Sequence, residues 1–425
     1  MSWSKKQDGA AALCSHGYDR AMNKVGVIVR ASALHDREKV RALRDRLLGD
    51  VRTASGLAIE EASQPSSDQL TAILVLTGGV ERDVLKIVAQ IPSPTLLIAH
   101  SGHNSLPAAL EVLARIRQDG GEGRILYGTP EAIGEGLRQE LALANAWNAF
   151  RFSRIGVIGE PSDWLVASDV DRAFLKGRLS IELVHVAIDD LLARIEAASA
   201  PRKDVNAFVK GAAAMVEATA DDVRGAVQIY YGLRSLVDEH RLSACTVRCF
   251  DIVKRLKNSG CYALSRLNDE GIPAGCEGDL QSLFSLYLAH LLSGQTAFMA
   301  NIADVDPPGR SIGVAHCMCP LSMAPSYTIR SHFESGLGVG IAGTLPSGPC
   351  TLFRLGGERL DELFICEGTI AETTVREDLC RTQVRIQVDD SVDDLLISPL
   401  GNHHILLAGH HRETIERFYG RYLAL

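Results

Sequence analysis

The sequence lacks several features that would assign its class at once. No apolar run reaches the roughly 18 residues of a membrane-spanning helix, and ten cysteines in 425 residues are too few for a disulfide scaffold. Basic residues are not in surplus, since 44 Lys and Arg stand against 52 Asp and Glu, a formal charge of −8. This balance offers no basic surface to nucleic acid or to an anionic membrane, so neither is an expected partner.

Common motifs are also missing. No GxGxxG follows any of the strands predicted between residues 24 and 128, which argues against a dinucleotide site there, and there is no GxSxG, HExxH or phosphate-binding loop. The segment His316-Cys317-Met318-Cys319 has no second cysteine pair, so its zinc signal is weak. Residues 1–23 lack a continuous apolar segment and predict an N-terminal tail rather than a secretory signal. We expect reduced, buried cysteines and a cytoplasmic protein.

The residues that are present predict a folded α/β protein. The chain is 46% hydrophobic, and its length suits two to three domains. Apolar strands alternate with helical patterns over residues 24–150 and again over 151–306, which predicts parallel sheets covered by helices. Short strands separated by turns fill residues 307–425 and predict a β-rich, barrel-like domain. The predicted strands of the first region are 24–31, 70–79, 93–100 and 123–128.

Two groups of acidic and amide residues are candidates for chemistry. Glu277 and Asp279 precede a long apolar helix, where they either cap the helix or act as metal-binding or proton-transferring carboxylates. Asn301, Asp304 and Asp306 follow at the end of a strand. Their side-chain oxygens form either a polar strand end or ligands for a hard divalent cation.

Histidines and one loop add further candidates. His403 and His404 are adjacent in a predicted strand, so at most one of them points into a given site. Ser162, Asp163 and Trp164 form either a turn anchored by a buried Trp or a sugar site, with an acceptor for hydroxyls and a ring for C–H faces.

Taken in order, these segments resemble the L-fucose/L-arabinose isomerase-like family, and more closely its shorter, fucose-isomerase-like branch. The resemblance covers most of the chain after about Lys24 and is strongest from residue 270 onward. The segments that carry it are GEPSDWL (159–165), CEGDLQSLFSLYLAHLLSGQTAFMANIADVD (276–306), HCMCPL (316–321), SHFESGLGVGIAGTLPSGPCTLFRLGG (331–357), CRTQV (380–384) and GNHHILLAGHH (401–411).

The resemblance implies two Rossmann-like α/β domains followed by a β-rich domain. It also implies one divalent metal, Mn²⁺ or Mg²⁺, held by a Glu, an Asp and a His. The Glu falls on Glu277, the His on His403, and the Asp on Asn301, which is a departure from the family pattern. Either Asn301 is a neutral ligand, or Asp304 or Asp306 takes the Asp role. Family members form trimers or hexamers with sites shared between subunits, which makes the loop 100–104 a candidate contributor to a neighbour's site.

The implied reaction is aldose–ketose isomerisation of a monosaccharide, a deoxyhexose, a pentose or an anionic (sulfonated) hexose. A proton moves between C1 and C2 through a cis-enediol, which requires a metal to polarise the carbonyl and a carboxylate to carry the proton. Glu277 is the candidate base, with Asp304 or Asp279 as the second acid.

Three more residues are expected to bind the substrate. His316 and His332 are candidates for sugar hydroxyls, and Arg381 binds either a barrel carboxylate or an anionic substituent. The alternative functions are a sugar-acid epimerase or lyase on the same scaffold, or a non-catalytic sugar-binding protein.

Overall fold

The computed structural model describes residues 22–66, 69–91 and 94–424. The predicted tail, residues 1–23, therefore lies outside the described residues except for Met22 and Asn23. Two compact units divide the described chain, one made of residues 22–148 and the other of residues 149–424. The predicted domain boundaries at 150/151 and 306/307 remain predictions.

The first unit is a five-stranded parallel sheet with strand order β2-β1-β3-β4-β5. Alternate residues of its strands enter two separate apolar clusters, with Val27 and Leu74 in one and Ile28 and Ile73 in the other. Both faces of the sheet are therefore buried, as a parallel sheet requires. The elements are β1 (Lys24–Arg30), α1 (Arg37–Ser55), β2 (Ala58–Glu61), β3 (Leu70–Val75), α2 (Glu81–Val88), β4 (Thr95–Ile98), α3 (Ser105–Gln118), β5 (Gly123–Leu126) and α4 (Pro130–Arg151).

The second unit begins with another parallel sheet, with strand order β10-β9-β6-β7. Its elements are β6 (Arg154–Ile158), α5 (Arg172–Arg178), β7 (Glu182–Val186), α6 (Ile188–Ala197), α7 (Arg202–Gly211), β8 (Ala214–Met215), α8 (Ala220–His240), β9 (Ala244–Val247), α9 (Cys249–Leu256), α10 (Cys261–Asp269), β10 (Ala274–Cys276) and α11 (Leu280–Ser293). The strand order reverses between β6 and β9, and ligands of open α/β sheets bind at the carboxyl ends of strands near such a point.

A closed antiparallel barrel follows, with strand order β11-β12-β17-β16-β15-β18. Its strand β11, which the sequence analysis assigned to the second α/β region, pairs with β12 and β18. Strands β13 and β14 form a small separate sheet with β8. The elements are β11 (Phe298–Asp306), β12 (Ser311–His316), β13 (Ser326–Arg330), β14 (Gly340–Thr344), β15 (Gly348–Gly356), β16 (Glu362–Thr373), β17 (Thr382–Val388), α12 (Asp394–Ile397), β18 (His403–Ala408) and α13 (Arg412–Tyr422).

The predicted fold class, parallel α/β sheets followed by a β-rich barrel, is confirmed. Helix α11 packs against β10 of the sheet and against β15 and β18 of the barrel, and every residue from Leu280 to Ala289 is buried. The carboxyl end of β10 therefore lies beside the barrel strands. Within the described residues, no helix combines the length and the apolar character needed to cross a membrane.

Candidate active site

The turn from β10 into α11 has a backbone that few sequences can adopt. Glu277 (φ 63°) and Gly278 (φ 78°) are both left-handed. A Cβ on residue 278 would lie 2.6 Å from the Cα of Pro161, so only glycine fits against the loop after β6. The Ser162 N–H donates to the Glu277 carbonyl oxygen at 2.9 Å and fixes the two segments together. Strained backbone of this kind is common at functional sites.

The Glu277 carboxylate has a hydrogen-bond donor on one side and an imidazole on the other. Its Oε2 accepts a hydrogen bond from Trp164 Nε1 at 2.6 Å, and its Oε1 lies 3.8 Å from His403 Nε2. The Trp164 ring packs edge-on against Phe250, with 4.9 Å between ring centroids, and remains 51% exposed. The two residues that the sequence analysis expected to share a cation, Glu277 and His403, therefore lie close together.

Asp279 orients His403 from behind. It is completely buried, its Oδ1 accepts from the Ser282 N–H and caps α11, and its Oδ2 lies 2.9 Å from His403 Nδ1. Burial by itself raises the pKa of Asp279. The positive charge of Arg354 and the hydrogen bond with His403 lower it by a larger amount, so the net pKa is below its ordinary value. As a carboxylate accepts and does not donate, His403 Nδ1 carries the proton.

His316 at the end of β12 completes the cluster. Its ring centroid lies 5.3 Å from that of His403, and ligand atoms of Cys276, Glu277 and His316 all lie within 4.8 Å of one another. Both ring nitrogens of His316 and the Nε2 of His403 are buried, with no hydrogen-bond partner among the described residues. Burial, followed by the charges of His403 and His332, lowers the pKa of His316, so its ring is neutral.

Cys276 is a poorer ligand than its neighbours. Its Sγ lies 2.8 Å from the Sγ of Cys249, and this contact, together with burial, raises the thiol pKa well above its ordinary value. Metals bind the thiolate rather than the thiol. The Glu277 carboxylate and the His316 imidazole are therefore the better cation ligands of this cluster, and His403 Nε2 lies 3.8 Å from Glu277 Oε1. Carboxylate and imidazole ligands suit a borderline divalent ion.

The sequence predicts His316 as a substrate-binding residue and not as a ligand of the divalent metal. The segment 316–319 has no second cysteine pair, so its metal-binding signal is weak. Only closure of the barrel brings β12 and β18 together with the β10 turn.

Asn301 and Asp304 lie on β11. Asn301 is opposite His403 in the β11–β18 register, and its Oδ1 accepts a hydrogen bond from Asn402 at 2.9 Å. Asp304 follows a bulge in β11 and forms an ion pair with Arg385 at 2.8 Å. The predicted metal role of Asn301 and the predicted catalytic role of Asp304 remain predictions.

Of the predicted sugar-binding loop, Trp164 contacts the Glu277 carboxylate, and the Ser162 main chain contacts the Glu277 carbonyl oxygen. The Ser162 hydroxyl is buried, and no partner for it exists in the described part of the chain. Asp163 is exposed and pairs with Arg248 at 3.2 Å.

His332 lies close to His316, and Arg381 lies close to His332. The His332 ring lies 5.6 Å from Phe250, and its Nδ1 is 3.0 Å from the Ser335 hydroxyl. Burial and the charge of Arg381 lower the pKa of His332 to about 4. Arg381 donates to the Ser331 carbonyl oxygen at 2.9 Å and lies 3.5 Å from the Glu377 carboxylate.

Comparison with curated proteins adds two relatives. A sulfoquinovose isomerase from Alkalicoccus urumqiensis is 26% identical over 297 residues, 64% of this chain and 67% of the relative. A sulfoquinovose isomerase from Clostridium sp. (strain MSTE9) is 26% identical over 136 residues, 31% of this chain and 30% of the relative. This chain is a relative of sugar isomerases. The resemblance to the fucose-isomerase-like proteins and the expectation of an isomerase are thereby confirmed. No protein-family model matches the chain.

Proposed function

We propose that the protein is a metal-dependent aldose–ketose isomerase acting on a monosaccharide, with a sulfonated hexose as the first candidate substrate. The observation that carries this proposal is the meeting of Glu277, His316 and His403, from three distant segments, around buried nitrogens that lack partners. The similarity to two sulfoquinovose isomerases supports the reaction class.

The donor set fits a divalent metal. A buried imidazole nitrogen without a hydrogen bond costs about 1–3 kcal/mol, and this cluster contains several such nitrogens beside a carboxylate. A cation between them would accept their lone pairs and neutralise the carboxylate. With no thiolate in the set, a cysteine-type structural zinc is not favoured, and we propose Mn²⁺, or Mg²⁺ with water completing its oxygen ligands. When bound, the ion would polarise the sugar carbonyl and stabilise the negative oxygen that develops.

The protein's own residues bind the sugar and move the proton. Glu277 would take the proton from one carbon and return it to the next, while the Trp164 N–H holds the carboxylate in place. The half-exposed Trp164 ring offers an apolar face to sugar C–H groups. We assign Asp279 a positioning role, because its oxygens already accept from Ser282, Arg354 and His403. Asp304 stays a candidate second acid.

The anionic substituent is proposed from the names of the relatives, since sulfoquinovose is a sulfonated hexose. Arg381 stays a candidate for binding it, although its donors already contact Ser331 and Glu377. We further propose a homo-oligomer, trimeric or hexameric, with sites shared between subunits, and a cytoplasmic location. Asn301 is proposed as a neutral ligand of the metal.

The test is a screen of aldoses with the full-length protein and Mg²⁺ in D₂O, followed by NMR. Sulfoquinovose, a hexose phosphate, fucose and arabinose are compared in parallel. We expect the sulfonated sugar to give the isomeric ketose with deuterium at C1, and the recovered aldose to carry deuterium at C2. Glu277→Gln should abolish turnover, with a loss of at least about 10²-fold, as expected for a general base. Glu270→Gln, a carboxylate bonded to Arg234 and Tyr230, is the matched control and should keep activity.

Other outcomes would replace this function. Inversion at one carbon without ketose formation indicates an epimerase, and release of a carbonyl fragment indicates a lyase. Sugar binding without turnover, unchanged in Glu277→Gln, indicates a non-catalytic sugar-binding protein.

A further inference from the structure

Arg354 on β15 is a charged side chain with no access to solvent. Its side chain is 0% exposed, and so is that of its ion-pair partner Asp279 at 3.3 Å. Burying a charge costs several kcal/mol unless a partner and hydrogen bonds satisfy it. The guanidinium meets this condition with donors to Leu400 O (3.2 Å), His403 O (2.7 Å), Ser168 Oγ (2.9 Å), Gln281 Oε1 (3.0 Å) and Ser282 Oγ.

One nitrogen of this guanidinium contacts His403 directly and also through Asp279. Nη1 donates to the main-chain carbonyl of His403 and also to Asp279 Oδ2. The same Oδ2 accepts from His403 Nδ1. Arg354 therefore fixes both the backbone that carries the imidazole and the carboxylate that orients its ring.

The chain before His403 is shaped around Arg354. A Cβ on Gly401 would lie 2.6 Å from Arg354 Nη2, so the backbone of residues 400–401 packs directly on the guanidinium. The other side of Arg354 reaches Ser168 and Gln281, and Gln281 Nε2 donates to the carbonyl oxygens of Ala167 and Asp169. The loop that follows Trp164 is thus tied to the same side chain.

We propose that Arg354 is a positioning residue that sets the orientation and tautomer of His403 through Asp279, so that Nε2 faces Glu277 ready to bind a metal. The effect of Arg354 on metal affinity rests on the proposed function, whereas its effect on the His403 tautomer does not need the metal. Residues behind a metal-binding histidine, when replaced, change metal affinity by about 10- to 100-fold.

The test uses full-length, metal-free protein and two readouts. Long-range ¹H–¹⁵N NMR of the ring nitrogens, assigned with His403→Gln, reports the tautomer of His403. Titration calorimetry with Mn²⁺ reports metal affinity. The variants are Arg354→Lys, Asp279→Asn and the double variant; lysine keeps the charge that a neutral residue would remove. Arg234→Met is the control, because Arg234 also contacts two carboxylates, Asp238 and Glu270, but lies on α8.

We expect the Nδ1–H tautomer in the wild type and a mixture of tautomers in Arg354→Lys, with Mn²⁺ affinity about 10- to 100-fold weaker. The double variant should bind Mn²⁺ no more weakly than Asp279→Asn, since both residues act through one contact. Arg234→Met should match the wild type in both readouts.

The proposal is overturned if Arg354→Lys keeps the wild-type tautomer and Mn²⁺ affinity. It is also overturned if the fold-loss of Mn²⁺ affinity in the double variant equals the product of the fold-losses in the two single variants, as for independent residues. If the wild type binds no Mn²⁺, the proposed metal is wrong, while the tautomer comparison still decides the role of Arg354.

Discussion

His404, next to the candidate ligand His403, is a histidine held without partners. It is completely buried, its ring lies 5.1 Å from that of Phe364, and its nitrogens lack hydrogen bonds within the described chain. Burial, and then the charge of Arg354, lowers its pKa to about 3. The folded protein thus binds a proton at this residue far less readily than the unfolded chain, whose histidines titrate near 6.5.

Replacing His404 should therefore make stability less sensitive to acid. Below about pH 6.5 the unfolded chain binds a proton at His404, whereas the folded protein binds it only near pH 3. The free energy of unfolding therefore falls by up to about 1.4 kcal/mol for each pH unit in this range. We expect His404→Leu to equal or exceed the wild type in unfolding free energy at pH 7.5 and to lose less by pH 5. Urea unfolding in EDTA at several pH values measures this. His410→Gln, at an exposed position, is the control; a wild-type slope in His404→Leu would contradict the prediction.

Whether the Cys276 sulfur is a metal ligand can be tested by substitution. Because its thiol contacts Cys249 and has a raised pKa, we expect Cys276→Ser to bind Mn²⁺ as the wild type does. Glu277→Gln should lose binding in the same calorimetric titration. Equal losses in the two variants would place the sulfur among the ligands.

At the scale of elements, the β10–α11 turn and the loop after β6 form one unit. The sequence predicts an apolar helix after Glu277 and Asp279, and α11 begins at Leu280, where Asp279 caps it. Residues 274–276 form a short strand that the sequence pattern does not indicate. Strands of three or four residues, such as β10 and β2, carry too few positions for an alternating pattern to identify them.

Gly278→Ala should damage this unit more than a glycine change elsewhere. Both Gly278 (φ 78°) and Gly294 (φ 66°) are left-handed, but a Cβ at 294 meets no atom within 4 Å. We expect Gly294→Ala to cost about 1 kcal/mol, from the backbone alone. Gly278→Ala should cost a further 1–3 kcal/mol or so from the contact with Pro161, and it should weaken Mn²⁺ binding. Urea unfolding and calorimetry compare the two; equal costs would contradict this packing argument.

For the whole molecule, a bound cation should stabilise the part of the chain that holds it. All three proposed ligands belong to residues 149–424. Ligand binding to the folded state adds about 2.7 kcal/mol at a metal concentration 100 times Kd. We therefore expect Mn²⁺ to raise the melting temperature and EDTA to reverse the rise. Hydrogen exchange should show the gain in β10, α11 and β18. Glu277→Gln should abolish the shift, and a shift that persists in this variant would place the ion elsewhere.

Chain pattern alone predicted the α/β alternation and the barrel texture, because burial on both sheet faces and turn chemistry leave local signatures. The expectation that Glu277 and His403 share a site came from the resemblance to a family. Tertiary structure decided which of the candidate residues meet. Asp279 and His403 are 124 positions apart, and His316 joins them only through the order in which the barrel strands pair. Contacts of this kind depend on strand register and chain closure, which no local window of sequence encodes. The role of Arg354 follows from the same cause, since only burial beside Asp279 makes one arginine among many a part of the site.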